Sequence, residues 1–155
     1  MDLSGLYNRF GKAYKQKAIE VQTQMLLDYA PKMLQRAYDE RTFKNRTWNL
    51  ADSYIWVVYY EGAVKGSGYL WNAKVATKNA NYKGNSVDGR ALAQSFVDSY
   101  SPNMNGWSLV FAATTPYASD LENGTATRRK FYVITTIYDE VTSDFKGKAV
   151  VKKVI

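Results

Sequence analysis

The chain of 155 residues contains no cysteine and no histidine. Without cysteine there is no disulfide staple and no thiolate chemistry. Without histidine the chain lacks the commonest general base at neutral pH and the commonest transition-metal ligand. Carboxylates, Lys, Tyr and Ser can still catalyse, but both absences weigh against an enzyme, and no metal or cofactor is expected. No run of about 18 apolar residues occurs, so no membrane-spanning helix and no membrane partner are expected. The first ten residues carry Asp2 and Arg9 among scattered apolar side chains, and they lack the apolar core and small-residue cleavage site of a signal peptide.

What is present is aromatic and basic. Aromatic residues make up 15% of the chain, with 13 Tyr, and the net charge is +7. Tyr and Trp bury large area while keeping a polar tip, which suits subunit contacts, and on open sheets aromatics can stack bases. A basic balance points to a polyanion or an acidic protein as neighbour, or only to a Lys-rich solvated surface. The length fits one domain spanning 1–155, able to bury roughly 68–70% of its unfolded surface without staples.

The chain is organised around residues 46–60, where a polar turn leads into Tyr54–Tyr60, a run apolar on both faces. That pattern predicts a strand covered by helices or by a neighbouring subunit. Before it, residues 4–40 read as a long helix with Ser4 as N-cap. Leu6, Phe10, Ala13, Tyr14, Lys17, Val21, Gln24, Met25 and Asp28 set one register along it, and Ile19, Leu26, Leu27, Met33, Leu34 and Ala37 continue an apolar stripe at spacings of three and four. The helix is a packing element or an amphipathic one that also forms a subunit contact. Pro31 is expected to kink or split it near residues 28–30.

After the strand, Glu61–Gly68 reads as a glycine-rich hairpin connection and Tyr69–Ala76 as the return strand. Residues 77–89 read as an exposed basic loop, and Asp88 as the cap of a helix over 90–100 that ends before Pro102. Residues 107–114 form a third strand in this reading, and 116–125 a turn-rich segment. Residues 131–145 have helical spacing despite β-branched side chains, so helix and strand both remain open, with helix favoured. Residues 149–155 read as a last strand or an extended arm. The fold class expected is therefore α+β: a long N-terminal helix on a small antiparallel sheet, with further short helices.

No catalytic constellation emerges. Asp39 with Glu40, and Asp139 with Glu140, are sequence neighbours that point about 100° apart on a helix. Asp120 and Glu122 lie in a turn, where capping is their expected work. Gly62, Gly66 and Gly68 lack the spacing and the Lys-Ser/Thr ending of a phosphate-binding loop.

Two segments carry a resemblance. The first has Thr47, Asn49, Leu50 and Ser53, and the second has Pro116, Tyr117, Ala118, Glu122, Gly124 and Thr125. In this order, between a long N-terminal helix and a C-terminal helix, they resemble the tail-completion and neck (head–tail connector) proteins of tailed bacteriophages. That family shows a Thr-Gly-x-Leu-x-x-Ser turn and a later Tyr-Ala-x-x-x-Glu-x-Gly-Thr segment. The likeness covers most of the chain but rests on about ten positions. Trp48 stands where the family has Gly, and residues 77–100 look like an insertion.

The resemblance implies a virion protein, made in the bacterial host cytoplasm and located at the neck or tail end. It implies oligomeric rings of this chain, with portal or adaptor and tail-tube proteins as partners, and no catalysis. It makes Thr47, Asn49, Leu50, Ser53, Tyr117, Ala118, Glu122 and Gly124 structural, with Thr47 and Asn49 fixing the first turn, and Tyr117 and Glu122 holding the second loop beside the sheet. A ring subunit needs two complementary surfaces. The candidates are Tyr54, Trp56 and Tyr59 on the aromatic strand, and Val150, Val151 and Val154 at the end of the chain. The basic surface then faces an acidic partner ring or, weakly and without preference, DNA in the channel. The rival reading is a basic nucleic-acid-binding module, whose support is the charge and the aromatic strands.

Overall fold

The computed structural model describes residues 3–40, 49–70, 88–102, 105–126 and 130–155. The side chains of residues 3–7 and 49 are outside that description, as are Thr47, residues 71–76 of the return strand read at 69–76, residues 77–87 of the loop read at 77–89, Arg128 and Arg129.

The architecture is α+β: a long N-terminal helix, a four-stranded sheet and several short helices. In chain order the elements are α1 (Leu3–Asp39), α2 (Asn49–Ser53), β1 (Tyr54–Tyr60), β2 (Ala63–Tyr69), α3 (Gly89–Ser99), β3 (Trp107–Ala113), α4 (Ala118–Asn123), α5 (Val133–Asp144) and β4 (Val150–Val154). The sheet order is β2-β1-β3-β4. β1 pairs antiparallel with β2 and β3, but β4 lies parallel to β3. The sheet is therefore mixed, not purely antiparallel. The reason is topological: α4 and α5 lie between β3 and β4 in the chain, and a crossover through helices returns the chain in the same direction.

Alternation along the central strands feeds two cores. Tyr54, Trp56 and Val58 of β1, with Leu109 and Phe111 of β3, face α1 and α5. Ile55, Val57 and Tyr59, with Val110 and Ala112, face α3 through Ala93, Phe96 and Val97. A strand apolar on both faces is what this double cover requires.

Two local expectations change. The hairpin between β1 and β2 is a two-residue turn, Glu61 and Gly62, at φ of 48° and 77°. Positive φ at both positions is the type I′ geometry that matches strand twist. The return strand therefore begins at Ala63, inside the glycine-rich stretch read as a connection. Gly66 and Gly68 are strand residues because side chains lie against them. A Cβ on Gly68 would sit 2.8 Å from the Trp56 ring, and one on Gly66 would sit 2.5 Å from a methyl of Leu27 on α1. The register slips between Val58 and Tyr59, leaving Lys65 unpaired in a bulge.

α1 also runs unbroken through Pro31. Proline removes one hydrogen bond of the helix ladder. Ala30 and Leu34, both fully buried, flank it and fasten the helix to the sheet on either side.

Candidate functional site: two braces and a projecting arm

The first motif segment folds as the short helix α2, which leads directly into β1. Leu50 and Ala51 are buried beside the sheet. Ser53 is fully buried, and its hydroxyl donates to the Leu50 carbonyl at 2.8 Å. Its own carbonyl accepts both the N–H and the hydroxyl of Thr114, each at 3.3 Å. Ser53 thus closes α2 and ties it to the end of β3, a side-chain-to-backbone bond of the kind that Ser favours at helix ends. Asn49 opens α2.

The same corner holds an ionic brace. Asp52 lies 3.7 Å from Arg90, the Arg90 guanidinium sits 3.8 Å over the Tyr69 ring, and the Tyr69 hydroxyl donates to Gln94 at 3.0 Å. This chain joins α2, the end of β2 and α3. Burial pushes the Asp52 carboxyl above its ordinary 3.8, with Asp88 adding in the same direction and Arg90 pulling it back. Asp88 itself caps α3, accepting the N–H groups of Arg90 and Ala91 at 3.0 Å each.

The second motif segment is the short helix α4, and Glu122 is its working residue. Glu122 is 1% exposed and accepts the backbone N–H groups of Ile134 at 2.8 Å and Thr135 at 3.2 Å. Those are the unpaired donors of the first turn of α5. The residue at the N-cap of α5 is Tyr132, in a left-handed conformation with no side-chain cap of its own. A carboxylate brought from α4 does the capping instead and complements the positive end of the helix dipole. Gly124 ends α4 at φ 74° and ψ 172°, a region essentially closed to residues with a Cβ. Ala118 is buried, and the Leu121 carbonyl accepts the N–H of Phe131 at 2.9 Å. The spacing of the segment pointed to capping by Glu122 but not to which helix it caps, because that partner lies twelve residues on.

The candidate subunit contacts on β1 are corrected by burial. Tyr54, Trp56 and Tyr59 are 1%, 9% and 1% exposed, spent in the protein's own core. They offer neither a subunit surface nor a platform for bases, because β1 is a central strand with helices over both faces. On β4, Val151 is also buried, whereas Val150 is exposed and Val154 half-buried. β4 is an edge strand, and Lys152 and Lys153 on it are of the type that discourages edge pairing.

The open surface lies elsewhere. On α1, Leu26, Met33, Leu34 and Ala37 of the apolar stripe pack on the sheet. Residues of the first register remain outside: Phe10, Tyr14, Val21 and Met25 are 68%, 80%, 51% and 57% exposed. Every residue from 8 to 18 is exposed, so this part of α1 stands as an arm beyond the body, bearing Arg9, Lys12, Lys15 and Lys17 and no acidic residue. Where the arm meets the body, Tyr14, Val21 and Met25 line a groove of about 460 Å³ together with Phe145 and Lys148 at the end of α5. The body is fastened there by Gln22, which donates to the Lys148 carbonyl at 3.0 Å, and by Tyr29, which donates to Asp144 at 2.5 Å and packs edge-on against Phe145. Two turns further along α1, Arg36 pairs with Glu140.

Among the described residues no cluster of three or more acidic side chains could hold a metal ion, and no helix is long and apolar enough to cross a membrane. No protein-family model, curated protein or solved structure matches the chain.

Proposed function

We propose that the chain is a structural subunit of a tailed-phage virion, acting in the neck or tail-completion ring by assembly and not by catalysis. The observation that carries the reading is the arm of α1, an exposed, basic and aromatic-bearing helix continuous with a buried one. A helix face that a folded body leaves uncovered is a surface for another protein. The two motif segments support the same reading, because Ser53, Glu122 and Gly124 serve as braces of the framework, the role that the resemblance implies for them. The partners are further copies of the chain, a portal or adaptor ring and the tail tube. The basic residues of the arm face an acidic partner or DNA in the channel.

Gold-labelled antibody on particles from the source culture tests this. Label at the head–tail junction or the tail end is the expected result. Particles that never carry label, with the protein free in cells, would overturn the reading. A steep fall of DNA binding with salt would then favour a nucleic-acid-binding module working through the arm.

A further inference from the structure

We infer that the arm of α1 is a self-association surface, on which a second copy of the chain packs antiparallel about a two-fold axis between Lys17 and Ala18. This goes beyond the assembly reading and does not depend on it, because an isologous pair is a different contact from the head-to-tail one that closes a ring.

The argument begins with spacing. Phe10, Tyr14, Val21 and Met25 are separated by four, seven and four residues, so they lie along one line of the helix. This line faces away from the side that packs on the sheet through Leu26, Ala30 and Leu34. The spacing is the same read in either direction. An antiparallel copy centred between residues 17 and 18 therefore sets Phe10 against Met25 and Tyr14 against Val21, twice. The crossing point falls at Ala18, a small side chain that allows close approach. The sequence of large, medium and small contacts is self-complementary, as an isologous interface requires.

Charge selects the direction. A parallel pair would align Arg9, Lys12, Lys15 and Lys17 with the same four cations. An antiparallel pair sets them along residues 18–26, where the single charged residue is Glu20. Lys17 and Glu20 lie on one flank of the stripe and already pair within the chain at 3.5 Å. The two-fold axis sets the two Lys17 side chains side by side on that edge, each held by the Glu20 of its own chain. The helix dipoles also oppose one another in this arrangement.

Area is adequate. At the 150–250 Å² that large side chains present, the exposed fractions of these four give roughly 400–600 Å² of open surface a copy. Lys17, Ala18, Gln22 and the groove wall at Phe145 and Lys148 add to this, toward the ~800 Å² per partner of a standard interface. The groove lies beside Val21 and Met25, where Phe10 and Tyr14 of the second copy arrive.

The chain has no cysteine, so single-cysteine variants report the register directly. Lys17→Cys lies next to the axis and is expected to form a disulfide dimer under mild oxidation. Lys12→Cys is five and a half residues from the axis, so its two copies stand about 16 Å apart and remain reduced. Sedimentation of the full chain over a concentration series should show a reversible dimer. Tyr14→Glu and Val21→Glu should each weaken it about 30-fold while leaving the far-ultraviolet spectrum unchanged. A chain that is monomeric at every concentration overturns the inference. So does equal crosslinking at Lys12→Cys and Lys17→Cys, or a dimer indifferent to both glutamates. A stripe covered by another virion protein, with no self-crosslink at position 17, also overturns it.

Discussion

The two halves of α1 share one helix and one backbone geometry, yet the molecule treats them differently. Between Leu26 and Tyr38 the helix buries Leu26, Ala30 and Leu34 completely and is tied to α5 through Tyr29 with Asp144 and Arg36 with Glu140. Between residues 8 and 18 nothing is buried. An isolated helix of so few residues is marginal in water, because its nucleus is costly. The arm is helical because it extends a helix that packing has already nucleated. Tertiary contact thus sets where the long helix is anchored, and propensity only carries it outward.

The largest effect expected from this contrast is at Leu34. Leu34→Ala removes a fully buried side chain between helix and sheet, and should cost about 2–5 kcal/mol in urea unfolding. A loss under ~1 kcal/mol would mean that the packed half is no better fastened than the arm, and the comparison would fail.

Glu122 tests whether a polar brace in the body matters as much as an apolar one. Glu122→Ala leaves the N–H groups of Ile134 and Thr135 without their acceptor in a buried place, and should cost about 1.5–3 kcal/mol. Glu122→Gln keeps the shape and one accepting oxygen, so it should lose less. Equal losses for the two would show that packing of the side chain, and not the cap, is what Glu122 supplies.

Tyr14 sharpens the contrast from the other side. At 80% exposure its removal should change the stability of the monomer by no more than ~0.5 kcal/mol. Thermal unfolding of Tyr14→Ala at a concentration too low for association checks this. A large loss would mean that the arm folds back onto the body in solution.

Much of this framework is legible in the sequence, and the misses have physical causes. A run apolar on both faces locates β1, and helical spacing locates α3 and favours helix over strand at α5, because β1 buries both faces and each helix only one. The β2 strand escapes because Gly66 and Gly68 look like turn residues, and only the Trp56 ring and Leu27 lying against them explain glycine in a strand. Pro31 looks like a breakpoint because local chemistry does not show that Ala30 and Leu34 are anchored on both sides. The aromatic side chains of β1 look like spare interface because a single strand does not reveal that helices cover both its faces. The apolar residues of α1 read as one continuing stripe, and that Leu26 and Leu34 pack while Phe10, Tyr14, Val21 and Met25 stay open is decided by the body, not by the helix.

The smallest effect lies at the corner where α2 meets α3. Asp52 is half-buried, and burial raises its carboxyl above 3.8 despite Arg90 at 3.7 Å. A carboxyl raised on folding binds its proton more tightly in the folded chain than in the unfolded one. Its contribution to stability is therefore favourable below the unfolded value, and it fades as pH rises through the folded value. Asp52→Asn holds a neutral group of the same shape at every pH. The stability difference, wild type minus Asp52→Asn, should become more favourable to wild type as pH falls from 7 toward 4, with the change confined to the interval just above 3.8. The opposite slope would mean that the Arg90 pair outweighs burial. It would make this corner an ion-pair brace in the same sense as Arg36 with Glu140 on the packed half of α1, where hydrogen bonding to Glu140 raises the guanidinium.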